Sequence, residues 1–271
     1  MVPGMRTLLA LLALLALGIA LAAPVRAQVP TDVHDPLADF ARTADPTQAA
    51  VLDAARSHDP ERLLPATLAL ERRLGTAETA AGDRYVFAAG VLEVLSIHRS
   101  FERNAPDAMP KALGELVPDE LAARGIEAAE AYGKDHPEHS DADRVRGELI
   151  SLTIHGMTSG LANGPKAKEA VESALEKDPA NAWAIFALGR MHYHNPSFAG
   201  GDMDAALDEF RRAADAIESY RPALYLGLAY QAKGMLPQAK FWARKTLRLA
   251  PDDPEARQLL ADVEAELGER K

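Results

Sequence analysis

The chain has 271 residues, with 40 acidic side chains, 30 basic side chains and no cysteine, and 48% of it is apolar. These values exclude a disordered polypeptide, a disulfide scaffold, a cysteine-ligated metal site and a thiol nucleophile. The net charge of −10 argues against a nucleic-acid-binding protein, because phosphate binding requires a basic face. Ala, Leu and Glu are frequent while aromatic residues make up only 6%, which favours helices over strands.

The first 27 residues have the features of an export signal. Residues 8–23 form an uncharged stretch rich in Leu and Ala, and Val25 and Ala27 supply the small residues of a cleavage site. The stretch is shorter than the roughly 20 residues of a transmembrane helix, although a retained N-terminal anchor is the alternative. We predict cleavage after Ala27 and no membrane span in the mature chain. The composition is typical of a GC-rich bacterial genome, so the predicted location is periplasmic or secreted.

The mature chain, residues 28–271, is predicted to be all-α. No segment shows the sustained alternation of Val, Ile or Thr that a strand requires, whereas helix start and stop residues recur along the chain. Pro60 and Pro254 each stand between an aspartate and a glutamate, as expected in the first turn of a helix. The predicted helices span residues 47–57, 60–75, 82–103, 119–134, 142–161, 165–177, 182–194, 203–219, 222–233, 236–249 and 253–269.

The C-terminal half contains a spaced pattern that occurs more than once. Gly227 and Ala239 in one segment correspond to Gly189 and Ala206 in another, and each pair combines small residues with neighbouring bulky ones. The pattern resembles the tetratricopeptide repeat, TPR, whose unit has about 34 residues. A poorer copy lies further back, with Gly164 at its predicted turn. Small residues at these positions allow two helices to approach closely, and bulky neighbours fill the remaining space.

The resemblance implies helical hairpins stacked as a TPR-like solenoid, because one repeat cannot bury its apolar stripe alone. It covers residues 141–271, with residues 253–271 as the capping helix. Residues 28–140 are predicted to be a degenerate helical region that continues the same solenoid. A separate small helical domain is the alternative for residues 28–140, and an ordinary helical bundle is the alternative for the C-terminal half.

In TPR proteins the first helix of each pair lines the concave groove, and the resemblance therefore implies a partner-binding surface there. Aromatic residues and arginine are the types enriched in binding hot spots. The alternative is that Trp183 and Phe186 pack against the N-terminal helices. The residues expected to bind a peptide or protein partner are Trp183, Phe186, Arg190, Tyr193, His194, Arg221 and Gln231.

The loop at residues 195–202 carries a narrower resemblance. Its Pro196, Gly200 and Gly201 are similar to an inserted turn in the periplasmic T-component family associated with TRAP transporters. That resemblance implies a solute-binding protein as the partner and an accessory role in solute transport. The simpler interpretation is an inserted loop that ends at Asp202, a residue well suited to cap the following helix.

No catalytic or cofactor motif is present in the sequence. His192 and His194 point in different directions on a helix, and the cluster at residues 136–143 lacks the spacing of a zinc-protease motif. The glycine pair before Asp202 is followed by no Lys-Ser or Lys-Thr, so a nucleotide site is not expected. We predict a binding module or scaffold with no enzymatic activity, cofactor or metal. An enzyme with an unrecognised helical active site is the alternative.

Overall fold

The computed structural model describes residues 33–269, without the side chain of Phe198, and this part of the chain contains thirteen α-helices. The predicted signal segment 1–27, its cleavage site and the mature start at Gln28 lie outside these residues. None of the helices between residues 33 and 269 is both long enough and apolar enough to span a bilayer. The all-α class predicted from composition is confirmed.

Three of the N-terminal helices begin directly after an aspartate that caps their first turn. The carboxylates of Asp35, Asp45 and Asp59 each accept hydrogen bonds from backbone N–H groups of the following turn, and a proline follows each of them. The two shortest helices, α1 and α5, were not predicted because they are too short to show a periodic pattern. The helices are α1 (Pro36–Ala41), α2 (Pro46–Arg56), α3 (Pro60–Arg73), α4 (Asp83–Asn104), α5 (Lys111–Gly114) and α6 (Pro118–Asp135).

The C-terminal helices follow the predicted order. Side-chain caps mark most of their starts, although the helix that begins at residue 236 has none. The bounds of the helices that begin at residues 182 and 236 agree with the prediction at both ends. The helices are α7 (Ser140–Leu152), α8 (Met157–Lys177), α9 (Ala182–His194), α10 (Met203–Ala216), α11 (Tyr220–Ala232), α12 (Leu236–Leu249) and α13 (Pro254–Glu269).

The predicted helix at residues 142–161 and the predicted turn at Gly164 are wrong. The chain leaves the helical conformation between α7 and α8, and α8 then continues through Gly164. The hydroxyl of Ser159 accepts hydrogen bonds from the backbone N–H groups of His155 (3.0 Å) and Gly156 (3.1 Å). This local cap starts α8 earlier than the apolar periodicity indicated. Gly164 therefore lies inside a helix and does not form a turn.

Successive helices pack as pairs, and small residues sit where the pairs meet. Helices α7 and α8, α9 and α10, and α11 and α12 form the three closest pairs. A Cβ atom added to Gly189 would lie 2.8 Å from the ring of Phe210 in α10. One added to Gly227 would lie 2.7 Å from Leu259 in α13 and 3.4 Å from the backbone nitrogen of Ala243 in α12. Close helix approach at these two glycines was predicted from the repeat pattern and is confirmed.

Helix α4 is the centre of the array. It packs against α2, α3, α6 and α7, and also against α13 at the far end of the chain. The Ser100 hydroxyl in α4 donates to the carboxylate of Asp253 at 3.2 Å, and the Tyr220 hydroxyl donates to Glu93 at 2.8 Å. Because α13 returns to α4, the first helices of the pairs and the start of α13 together border a cavity. This cavity lies along the helices that were predicted to line the concave groove.

We expect Gly147→Ala to destabilise the protein by about 1–3 kcal/mol, because overpacking shifts whole helices. The added Cβ would lie 2.8 Å from the carbonyl oxygen of Ala167 in α8, and backbone atoms cannot move aside alone. The matched control is Gly133→Ala in α6, whose Cβ would meet nothing closer than 3.8 Å. The control should gain up to about 1 kcal/mol from helix propensity. Urea unfolding measures both, and equal midpoints would contradict the α7–α8 packing.

Candidate functional site

The interior of the array contains a cavity of about 330 Å³. Its wall comes from α4, α7, α9 and α11, which are the first helices of their pairs, and from the start of α13. The exposed residues Arg103, His194 and Asn195 mark its mouth, while the buried residues Arg221 and Asp253 lie at its inner end. Ligand pockets typically have volumes from about 300 Å³ upward, so this cavity is large enough for a small ligand or a short chain segment.

The carboxylate of Glu148, in α7, joins three helices at the cavity wall. Its Oε2 accepts from Arg190 of α9 at 2.6 Å and from Arg221 of α11 at 2.7 Å, and its Oε1 accepts from Arg144 at 3.1 Å. Burial raises the pKa of the carboxyl, but Arg221, Arg190 and Arg144 outweigh this effect and lower the pKa to about 2. The buried negative charge is therefore retained and holds the three arginines in place.

The network continues from the cavity wall toward the N-terminal helices. Arg144 also pairs with Asp141, whose other partners are the hydroxyl of Tyr85 at 2.6 Å and the amide of Asn181 at 3.2 Å. Two guanidinium groups lie over the ring of Trp183, with Arg144 at 5.6 Å and Arg221 at 5.5 Å from its centroid. Each charged group in this buried region has a partner of opposite charge or an aromatic face.

A second buried cluster closes the array. His58, between α2 and α3, has Nε2 3.4 Å from Asp253 Oδ2 and Nδ1 3.8 Å from Glu93 Oε1. Burial lowers the pKa of His58, but the two carboxylates outweigh it and raise the pKa to about 9. Asp253 also accepts from the backbone N–H of Ala256 at 2.8 Å and so caps α13. A charged His58 therefore holds the start of α13 against α4.

Three of the seven predicted partner-binding residues meet at the cavity: Arg190, His194 and Arg221. Arg190 is further fixed by the hydroxyl of Tyr225, which accepts from its Nε at 3.1 Å. His194 lies at the mouth with its Nε2 3.2 Å from the same hydroxyl. Burial of its ring, together with Arg190, Arg103 and Arg99, holds the pKa of His194 well below its usual range, so the imidazole is neutral near pH 7.

The other four predicted residues do not line the cavity. Trp183 and Phe186 are only 6% and 0% exposed, and the Trp183 indole donates to Asp35 ahead of α1 at 3.0 Å. Both side chains are therefore buried, Trp183 against the segment ahead of α1 and Phe186 against Phe210 and Tyr225. Gln231 bonds to Glu266 of α13 at 3.2 Å, and Tyr193 packs, half-buried, beside Tyr225. Whether a partner contacts any of the seven stays a prediction.

The central residue of the site was not predicted from the sequence. Glu148 stands four residues after Arg144, a spacing that occurs on many solvated helix faces. Nothing in the local pattern distinguishes it from an exposed charge, because two of its three partners come from other helices. Tyr225 and Arg99 were also missed, since their importance depends on which helices surround them.

The loop at residues 195–202 caps the next helix as predicted. The carboxylate of Asp202 accepts from the N–H groups of Asp204 at 2.9 Å and Ala205 at 3.1 Å. Gly200 has φ 90°, a conformation that glycine adopts without strain. Asn195 at the start of the loop contributes to the cavity lining. The loop is thus a structured insertion beside the mouth.

The histidine clusters considered for metal binding have other partners. His192 lies 2.7 Å from the carboxylate of Glu209, and His139 accepts from the backbone N–H of Ala142 at 3.2 Å. Within residues 33–269 no three His, Cys, Asp or Glu side chains are grouped so that they could hold a metal ion.

Comparison with solved protein structures finds chains of similar fold. The fold is similar to the crystal structure of a thermophilic TPR protein from Thermus thermophilus, with a TM-score of 0.56 and 17% sequence identity. The match covers 81% of this chain and 99% of that protein. No family model and no curated protein matches the sequence. The chain therefore has a TPR-like fold, while the resemblance to the T-component family receives no support.

We expect Glu148→Gln to destabilise the protein by about 3–5 kcal/mol, because it leaves three arginines without their buried counter-charge. The folded-state pKa of about 2 lies below the ordinary value of 4.5, so this contribution is present above pH 4.5 and is lost as the pH falls through 2. Urea unfolding from neutral to acid pH measures it. The control is Glu264→Gln on the exposed face of α13, expected within about 0.5 kcal/mol of the parent. An unchanged midpoint for Glu148→Gln would contradict its central role.

We expect the stabilising effect of His58 to disappear at alkaline pH. Its folded-state pKa of about 9 lies above the ordinary value of 6.5, so the effect is complete below pH 6.5 and is lost as the pH rises through 9. The parent should lose up to about 3 kcal/mol more than His58→Gln over this interval. Urea midpoints at about pH 6 and about pH 9.5 test this. His155→Gln, at an exposed histidine, should keep the pH dependence of the parent.

Proposed function

We propose that this protein is an exported binding module or scaffold that holds a peptide or protein partner at the mouth of its inner cavity. The TPR-like fold supports a protein-interaction role, because stacked helical pairs present the inner faces of their first helices to a ligand. The observation that carries the proposal is the cavity itself, whose lining comes from the first helices of four successive pairs and the start of α13. The signal-like segment at residues 1–27 supports export to the periplasm or beyond.

The residues that can touch a partner are those at the mouth. Arg103 and His194 are exposed, and Arg190 lies behind them with 13% of its side chain accessible. Trp183 and Phe186 act indirectly, since they pack against the arginines that form the inner wall. Binding therefore depends on the polar residues at the mouth, which the buried aromatic residues support. Only a narrow group of the partner can enter the cavity.

The two alternative functions, transport accessory and enzyme, differ in the molecule that should bind to the protein. An accessory role in solute transport would make the partner a solute-binding protein, and an enzyme would act on a small molecule in the same cavity. No contact in the described residues favours either one over a scaffold. Glu148 and Asp253 are both held by basic partners, an arrangement suited to fixing structure.

We expect Arg103→Glu to weaken partner binding by at least tenfold, which corresponds to about 1.4 kcal/mol, because it reverses the charge at the cavity mouth. The matched control is Arg248→Glu on the exposed outer face of α12. A partner is first captured from periplasmic extract with the tagged parent and identified, and its affinity for purified parent and variants is then measured. Far-UV circular dichroism verifies that helicity is kept.

Equal affinity of Arg103→Glu and the parent would place the binding surface elsewhere. A stoichiometric metal or organic cofactor in the purified parent would favour the enzyme instead. Trp183→Ala is not a clean test of binding, because removal of a buried indole costs about 3–5 kcal/mol of stability by itself.

A further inference from the structure

One side of the cavity carries positive charge that the structure does not neutralise. The guanidinium of Arg99, in α4, donates to the backbone oxygen of Leu152 at 2.6 Å. Arg103 lies one turn further along the same helix. Within residues 33–269, no carboxylate oxygen lies within 4.0 Å of either guanidinium. By contrast, Arg190 and Arg221 in the same wall are both paired with Glu148.

The groups around these two arginines offset their charge only in part. Burial together with the charges of Arg103 and Arg190 lowers the pKa of Arg99, which indicates an environment already rich in positive charge. Burial and Asp253 raise the pKa of Glu255 in the same lining, and they outweigh its interactions with Arg103 and Arg190, which lower it. His194 adds no positive charge near neutral pH, because its pKa is lowered. Arg99 and Arg103 therefore line the cavity without forming an ion pair among residues 33–269, and both are available to an anionic ligand.

Five apolar side chains stand among the polar residues of the remaining lining. They are Leu152 at the end of α7, Ile154 just after it, Ala187 and Met191 in α9, and Leu224 in α11. Pockets for small ligands commonly combine an apolar wall with a few placed polar groups that fix the orientation. Arginine recognises a carboxylate through two parallel hydrogen bonds, which gives directional as well as electrostatic preference.

We propose that the cavity binds a carboxylate attached to a short apolar chain, with Arg99 and Arg103 on the carboxylate and Leu152, Ile154 and Met191 on the chain. The inference rests on the proposed function because both place binding in the same cavity, and it adds the chemistry of the ligand. Two sources carry this chemistry: a small organic acid, and the C-terminal end of a peptide that ends in an apolar residue.

Isothermal titration calorimetry with the purified protein tests the proposal, using octanoate and octan-1-ol as probes. The two probes have similar apolar chains and differ in charge. Octanoate should bind at least tenfold more tightly than octan-1-ol. Arg99→Gln should weaken octanoate at least tenfold and leave octan-1-ol unchanged, while Arg248→Gln on the outer face should match the parent for both. If Arg99→Gln does not fold, Arg103→Gln at the exposed mouth provides the same comparison.

A tripeptide that ends in leucine, with a free or an amidated C-terminus, distinguishes the two sources. If the tripeptide binds with a free C-terminus but not with an amidated one, and this binding depends on Arg99, the ligand is the end of a peptide. Binding of octanoate with no binding of the tripeptide identifies a small organic acid.

Equal binding of the two eight-carbon probes, octanoate binding that is insensitive to both arginine variants, or no binding of any carboxylate would overturn the inference. Partner capture that depends on Arg103 would still support the proposed function in that case. Carboxylate binding together with partner capture unaffected by Arg103→Glu would leave the inference standing and remove the proposed function.

Discussion

The arrangement of the helical pairs depends on one buried carboxylate. Glu148 accepts hydrogen bonds from Arg144 on its own helix, Arg190 on α9 and Arg221 on α11, and only 2% of its side chain is exposed. A buried charge is costly unless it is paired, so the carboxylate and the arginines require one another. Because the three donors come from successive first helices, their spacing at the cavity wall is tied to the size of a single carboxyl group.

The contact between α4 and α13 borders the cavity that Glu148 also lines. Two elements far apart in the chain, α4 and α13, meet through Asp253, which is shared by Ser100, His58 and the first turn of α13. Here the inner faces surround a cavity, and only residues at its mouth remain exposed. The site therefore favours a narrow group over an extended surface.

The net charge of the chain and the charge inside the cavity have opposite signs. The chain has a net charge of −10, while the cavity contains arginines whose charges exceed those of their acidic neighbours. At physiological ionic strength, interactions between exposed charges are screened over roughly 8 Å, so a ligand inside the cavity responds mainly to the groups that line it. An overall acidic protein can therefore contain a site that prefers anions.

The sequence by itself determined the helical class, most helix starts and the close approach at Gly189 and Gly227, because caps and small-residue spacings act within a few residues or one repeat. The position of the α7–α8 turn was missed, since the Ser159 hydroxyl outweighed apolar periodicity. Only the tertiary structure decided the site. The charges of Glu148 and Asp253 resemble ordinary surface charges in sequence, and their burial results from helices that meet after long stretches of chain. Such contacts leave no periodic signal along the chain.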